Sequence, residues 1–365
     1  MVNLNQIIPL ATVILVTSAC PGQSVETETW GTTPSGETIE LHTLVSPDGA
    51  QAQVADYGAL LVSVQVPDLE GNLGEVTLRY QKLDEALSGG VYGSVIGRFA
   101  NRIGGGGFSI DHERFDLDSV NAKTQVHIHG GKTGFHRQVW QSHSGVDDQS
   151  PFVTFSLDSP DGHEGYPGNV TVSVTYRFLA GNVLTLEYQG ITDRPTHLNL
   201  TNHVYFNLKG QGDILDHELQ LHCDEVLEFD PHKVPTGKRL PVKDTAFDLR
   251  SPFRLGDVIE SVEGGGYDHC LVVSSPDSPS KLSLAAELID PKTGRTLKVS
   301  TTKPGLQLYT ANHLKGDPFP RWGGICFETQ YFPDTPNQPG FPSSLLRPGE
   351  SYHHLTQFDF GIFKN

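Results

Sequence analysis

The stretch Asn169-Val-Thr-Val-Ser-Val-Thr-Tyr-Arg-Phe-Leu179, then Ala180-Gly-Asn182, then Val183-Leu-Thr-Leu-Glu-Tyr188, alternates β-branched or aromatic residues with polar ones. A period of two puts the apolar set on one face of an extended chain, and the Gly-Asn break between the runs reads as a hairpin turn. Lys281-Leu-Ser-Leu-Ala-Ala-Glu-Leu288 and Arg295-Thr-Leu-Lys-Val-Ser-Thr301 repeat the pattern around Asp290-Pro-Lys-Thr-Gly294. Only Gln81 to Leu87 carries a helical turn. The 39 Gly and 24 Pro follow no fixed period and supply turns between short strands. No linker divides the chain after residue 36, so the reading is one large all-β antiparallel domain, a sandwich or a barrel.

Composition narrows the partners. Across 365 residues, 26 Lys and Arg face 43 Asp and Glu, a formal charge of −17, and the first Lys or Arg is Arg79. Such a chain repels phosphate backbones and anionic membranes, so no nucleic acid partner is expected. The 18 Phe and 11 Tyr, with abundant Val and Leu, are enough for a core and argue against disorder.

The apolar run Ile7 to Ala19 is too short for a membrane span and has the length of a signal-peptide core. It ends in Ser18-Ala19-Cys20, which also suggests a lipoprotein site with Cys20 as a lipid anchor. Residues 1–20 are thus expected to direct export, to a periplasmic, secreted or lipid-anchored form. Residues 21–36, rich in Ser, Thr and Glu, are expected to be a flexible linker, and 37–365 the folded domain. Cys223, Cys270 and Cys326 form no CxxC or zinc spacing and read as buried thiols.

Four segments carry more polar residues than a core strand should. In Thr201-Asn-His-Val-Tyr-Phe-Asn-Leu208, a single strand would put His203, Tyr205 and Asn207 on one face, opposite Val204, Phe206 and Leu208. In Gly323-Gly-Ile-Cys-Phe-Glu-Thr-Gln-Tyr-Phe332, Glu328 shares a face with Cys326 and Gln330 and is the only charge in the run. Burial would raise its pKa and make it a base near neutral pH. Val126-His-Ile-His-Gly-Gly131 sets His127 and His129 on one strand face; with no third ligand at a telling spacing, a hydroxyl contact is expected rather than a metal. Gly97-Arg-Phe-Ala-Asn-Arg-Ile-Gly104 places Arg98, Asn101 and Arg102 in an apolar setting suited to a polar ligand.

Together with Ser159-Pro-Asp-Gly-His-Glu-Gly-Tyr-Pro-Gly168, Pro235-Thr-Gly237, Tyr267-Asp-His269, Leu306-Gln-Leu-Tyr-Thr310, Asn337-Gln-Pro339 and Leu346-Arg-Pro-Gly-Glu350, these segments resemble the aldose 1-epimerase (galactose mutarotase) family from about Thr38 to Phe360. The resemblance implies a large antiparallel β-sandwich with an open cleft on one sheet and a small-molecule aldose as substrate. It implies Glu328 as general base and His203 as general acid, with no metal or other cofactor. Asn101, Arg102, His129, Asp268 and Gln307 match positions that bind sugar hydroxyls, with Tyr205 beside them. Phe99 and the N-terminal extension depart from the pattern.

Three competing readings follow from the same residues. A glycoside hydrolase would use Glu328 and Asp268 as paired carboxylates. A non-catalytic carbohydrate-binding sandwich would leave His203 and Glu328 without a task. A hexose-phosphate mutarotase would enlist Arg98, Arg250 and Arg254 for phosphate, against the charge of −17.

Overall fold

The computed structural model describes residues 22–147, 150–274, 281–316 and 319–363, so the expected export segment and Cys20 lie outside the described residues. The first hairpin forms as its alternation requires. Val170–Leu179 pairs antiparallel with Val183–Thr192, with Val170 opposite Thr192 and Leu179 opposite Val183. Gly181 and Asn182, both at positive φ, turn the chain. Val170, Val172, Val174, Tyr176 and Phe178 are buried, and the residues between them face away. The second hairpin, Ser283–Ile289 with Arg295–Thr301, joins the same nine-stranded sheet. The strand Tyr352–Ile362 pairs with one hairpin on each side and unites them.

A six-stranded sheet packs against this one, in the order Tyr205–Phe206, Ile325–Gln330, Gly305–Tyr309, Asp268–Val273, Cys223–Phe229, Pro235–Pro241. A five-stranded N-terminal sheet completes the sandwich. One core cluster runs through all three, including Val54 and Val64, Val172 and Leu186, and Leu306, Leu308 and Phe327. Phe206 locks the two larger sheets, with its ring centroid 5.0 Å from Phe358 and 6.5 Å from Phe327. The helix Leu83–Ser88, close to the expected turn, buries Leu83 and Ala86 against Ile39 and Tyr57.

Residues 24–32, part of the expected linker, are instead an edge strand. Ser24–Thr32 pairs with Thr38–Val45. Its polarity belongs to a mostly exposed edge, while Thr, Val and Trp favour extended backbone and Trp30 packs against the Ile39–Leu83 cluster. The composition was that of a solvated strand.

The two glycines after His129 leave no room for a side chain. Gly130 sits at φ +75, and a Cβ there would lie 1.8 Å from Gly97 O, while one on Gly131 would meet the Glu164 carboxylate at 2.1 Å. Gly162, at φ +81, has nothing within 4 Å. Gly162→Ala should therefore cost only the backbone term, about 1–3 kcal/mol, whereas Gly130→Ala should cost clearly more and lower Tm further. Equal melting temperatures for the two variants would show that the close approach to Gly97 does not constrain the turn.

Candidate active site

On the six-stranded sheet, Phe206, Leu306, Leu308 and Phe327 turn toward the core. Alternation sends Cys326, Glu328, Gln307 and Tyr309 to the other face. Register sets them side by side: Gln307 lies opposite Glu328, Tyr309 opposite both Cys326 and Asp268, and Tyr205 opposite Cys326. Asp268 closes the row, its Oδ1 accepting from Gln307 Nε2 at 2.7 Å and its Oδ2 lying 3.7 Å from Arg102 Nη2.

The expected single strand 201–208 is broken. Thr201–Asn202 pairs with Val95–Ile96, and Tyr205–Phe206 pairs with Ile325 and Cys326. Asn202 makes the break: its Oδ1 accepts from Val204 N at 3.0 Å while its Nδ2 donates to Gly93 O and Tyr176 Oη. The kink presents His203 to the cleft. Asn207, expected on the same face, instead donates to the carbonyls of Gly212 and Gly323.

His127 and His129 also part company. The strand ends at Ile128, and His129 adopts φ +53. Asn101, at φ +66, is locked to it reciprocally: His129 N donates to Asn101 O at 3.0 Å, and Asn101 N donates to His129 Nδ1 at 3.2 Å. His127 points away, bonded through Nδ1 to Asp118 O and set edge-on to Tyr166. The two arginines separate too. Arg98 is buried and donates to Ser159 Oγ and to the carbonyls of Ser159, Pro160 and Pro167, tying down the Ser159–Gly168 loop. Arg102 alone of the two reaches the cleft.

The cleft, about 180 Å³, is lined by Asn101, Arg102, His129, His203, Asp268, Tyr309, His313 and Glu328. The larger hollow between Arg239 and Phe332 has no histidine in its lining. Two expected contact residues stand behind the lining. Gln307 holds Asp268, and Tyr205 stacks on His203 with centroids 5.1 Å apart and planes 25° apart. Tyr309 and His313 were missed. Tyr309 shares the period of two with Gln307 and was legible that way, whereas His313 sits in a loop with no periodic signal.

Glu328 Oε1 lies 3.6 Å from His203 Nε2, and both residues are buried. Glu328 Oε2 has no hydrogen-bond partner among the described residues and is free to accept a proton. Burial, reinforced by the Asp268 charge and opposed by Arg102, raises the Glu328 pKa to about 8. Burial lowers that of His203 to about 4. At neutral pH the contact therefore joins a protonated carboxyl to a neutral imidazole, not an ion pair, and the two groups share one titratable proton.

His129, His203 and Glu328 offer ligand atoms within 4.8 Å of one another. The donor set does not suit a resident metal. His129 Nδ1 is an acceptor from Asn101 N, so its proton sits on Nε2; a cation would either break that bond or displace the proton. A donor aimed at a ligand oxygen is the use this geometry favours.

Residues 40–359 match the family model for aldose 1-epimerase. The chain is 40% identical to the galactose mutarotase of Homo sapiens over 352 residues, 93% of this chain and 99% of that protein. It is 36% identical to the aldose 1-epimerase of Escherichia coli K12 over 354 residues, 91% of this chain and 98% of that one. Its fold superposes on a galactose 1-epimerase from Lactobacillus acidophilus with a TM-score of 0.83 at 26% identity, covering 94% of this chain and all of that one. An aldose epimerase homologue from C. elegans gives 0.80 at 28%, covering 87% and 98%. The antiparallel sandwich, the cleft on its second sheet and these relationships agree: the chain belongs to the aldose 1-epimerase family.

Proposed function

We propose that this protein interconverts the α and β anomers of free aldoses, galactose and glucose among them. The observation that carries the reading is the His203–Glu328 pair, 3.6 Å apart in a polar cleft. Anomer exchange removes the proton on O1 and delivers one to the ring oxygen. The C1–O5 bond breaks, C1 rotates about C1–C2, and closure on the other face reverses both transfers. Glu328 is the base toward O1 and His203 the acid toward the ring oxygen, each contributing roughly 10²–10⁴-fold. The proton count of the pair suits this: in the free site the proton rests on Glu328, and its passage to His203 creates the carboxylate and imidazolium that ring opening uses. Hydrogen bonding of O1–H to the carboxylate favours that charged form.

The remaining lining residues hold the sugar. Asn101, Arg102 and His129 Nε2 donate to hydroxyls and Asp268 accepts, while Gln307 and Tyr205 support Asp268 and His203 from behind. Hydrolysis fits less well: Asp268, held by Gln307 at 2.7 Å and Arg102 at 3.7 Å, serves here as a hydroxyl acceptor beside the pair. A phosphate site fits less well too. Arg98 is spent on the Ser159 loop, Arg250 pairs with Asp224 and Asp248, and Arg254 pairs with Asp216 and Asp257. Export rests on the apolar run Ile7 to Ala19 and its small-residue end.

Polarimetry on freshly dissolved α-galactose and α-glucose tests the activity directly. Glu328→Gln and His203→Asn should each lower kcat by about 100-fold or more, with smaller effects on KM. Arg102→Ala should act partly through KM. Near-normal exchange in Glu328→Gln together with none in Asp268→Asn would make Asp268 the base.

The pH profile of kcat/KM should be bell-shaped. As pH falls through about 4 the pair gains a second proton and the base is lost; as pH rises through about 8 it loses its shared proton and the acid is lost. A single-limbed profile would mean that only one member of the pair takes part.

Exchange should be unchanged by EDTA, since both transfers use side-chain protons. A large loss restored by Zn²⁺ would reassign His129, His203 and Glu328 as ligands.

Mass spectrometry of native material should find Met1 to Ala19 removed. An intact segment would refute export, and a lipid on Cys20 would establish anchoring.

A further inference from the structure

Cys326 touches the acid–base pair yet has no part in the reaction above. It is fully buried, and its Sγ lies 3.5 Å from His203 Nδ1. Its place is dictated by sheet register, opposite Tyr205 on one side and Tyr309 on the other. Four residues surround the His203 ring beside its opening to the cleft. Glu328 faces Nε2, Tyr205 stacks on one side, and His129 and Tyr309 meet the ring edge-on at 5.4 and 6.4 Å. The charges of Asp268 and His136 also act on it. A proton on Nδ1 has two acceptors in reach. One is the carbonyl of His203 itself, which already accepts Gly93 N at 2.9 Å. The other is Cys326 Sγ, which the Tyr205 hydroxyl also approaches.

We propose that Cys326 is a positioning residue: its Sγ accepts the Nδ1 proton of His203 and so keeps Nε2 as the nitrogen that receives and delivers the reacting proton. The inference rests on the acid role of His203 given above. Neutral imidazole has two tautomers, and the bond made by one nitrogen decides the state of the other. With the proton on Nε2, no lone pair faces Glu328 and the shared proton cannot cross. With the proton on Nδ1, the Nε2 lone pair faces Glu328 Oε1. A thiol is a weak, neutral acceptor. It orients the ring without stabilising the imidazolium as a carboxylate would, which keeps His203 a strong acid toward the ring oxygen. Burial keeps the thiol itself protonated and neutral.

The test combines ¹⁵N NMR of the His203 ring with polarimetry across pH, on the full chain and on Cys326→Ala and Cys326→Ser. The wild type at pH 7 should show the Nδ1–H tautomer. Cys326→Ala should move the population toward Nε2–H and lower kcat about 10-fold with KM changed less than about two-fold. Cys326→Ser, a stronger acceptor of similar shape, should keep Nδ1–H, hold kcat within about three-fold, and raise the acid limb by about half a pH unit. An Nε2–H wild type would overturn the proposal, as would a Cys326→Ala protein that keeps both Nδ1–H and wild-type kcat. Should Cys326→Ala fail to fold, the wild-type tautomer and the Cys326→Ser limb still decide. Absence of anomer exchange in the wild type would count against the proposed function alone, since the tautomers are read without substrate.

Discussion

The rest of the site depends on placing a carboxyl and an imidazole together where water cannot solvate either charge. Glu328 is buried in the middle of a sheet, and its pKa rises from about 4.5 to about 8. That shift corresponds to a bias of on the order of 5 kcal/mol against the ionised form. His203 is shifted the opposite way for the same reason. Folding is opposed on both sides as a result: above the ordinary carboxylate range the chain would gain by ionising Glu328, and below the ordinary imidazole range by charging His203. Neutral pH favours the uncharged form of both groups, and a sugar that hydrogen-bonds to the charged forms offsets part of the cost of moving the proton across.

Such a pair is useful only if its geometry is held, and the architecture spends much of its polar bonding on that. Asn101 and His129 interlock through two hydrogen bonds, each from a left-handed backbone position that neither residue favours alone. Glu164 braces the glycine turn behind His129 by accepting from Thr133 N and Oγ1, both at 2.6 Å. Arg98 fixes the loop that carries Glu164 through four carbonyls and a hydroxyl. A buried arginine in this region thus serves the cleft without entering it.

The large sandwich has a comparable indirect role. Its nine-stranded sheet contributes nothing to the cleft lining, yet it supplies the apolar face against which Phe206, Leu306, Leu308 and Phe327 pack. Strict alternation then forces the residues between them outward on the other face. Glu328, Gln307 and Tyr309 are aligned because their neighbours are core.

The sequence by itself determined what short-range periodicity and residue chemistry can determine. Both hairpins follow from runs of alternating apolar and polar residues, and Glu328 stood out as one charge in an uncharged strand. Residue patterning also marked His203, Tyr205, His129, Asn101 and Arg102, and family resemblance added Asp268 and Gln307. Only the tertiary structure decided which of the similar signals reach the cleft. Arg98 and Arg102, or His127 and His129, are equivalent in a linear pattern, but a left-handed residue at His129 and a loop packed over Arg98 send them to different surroundings. The segment 201–208 reads as one strand because period two cannot reveal that the Asn202 side chain will satisfy Val204 N and kink the backbone. The strand 24–32 was hidden because a solvated edge and a linker share a composition. His313 reached the cleft through a loop whose path depends on distant packing, and the partnership of Cys326 with His203 arises from cross-strand register, which couples residues more than a hundred positions apart.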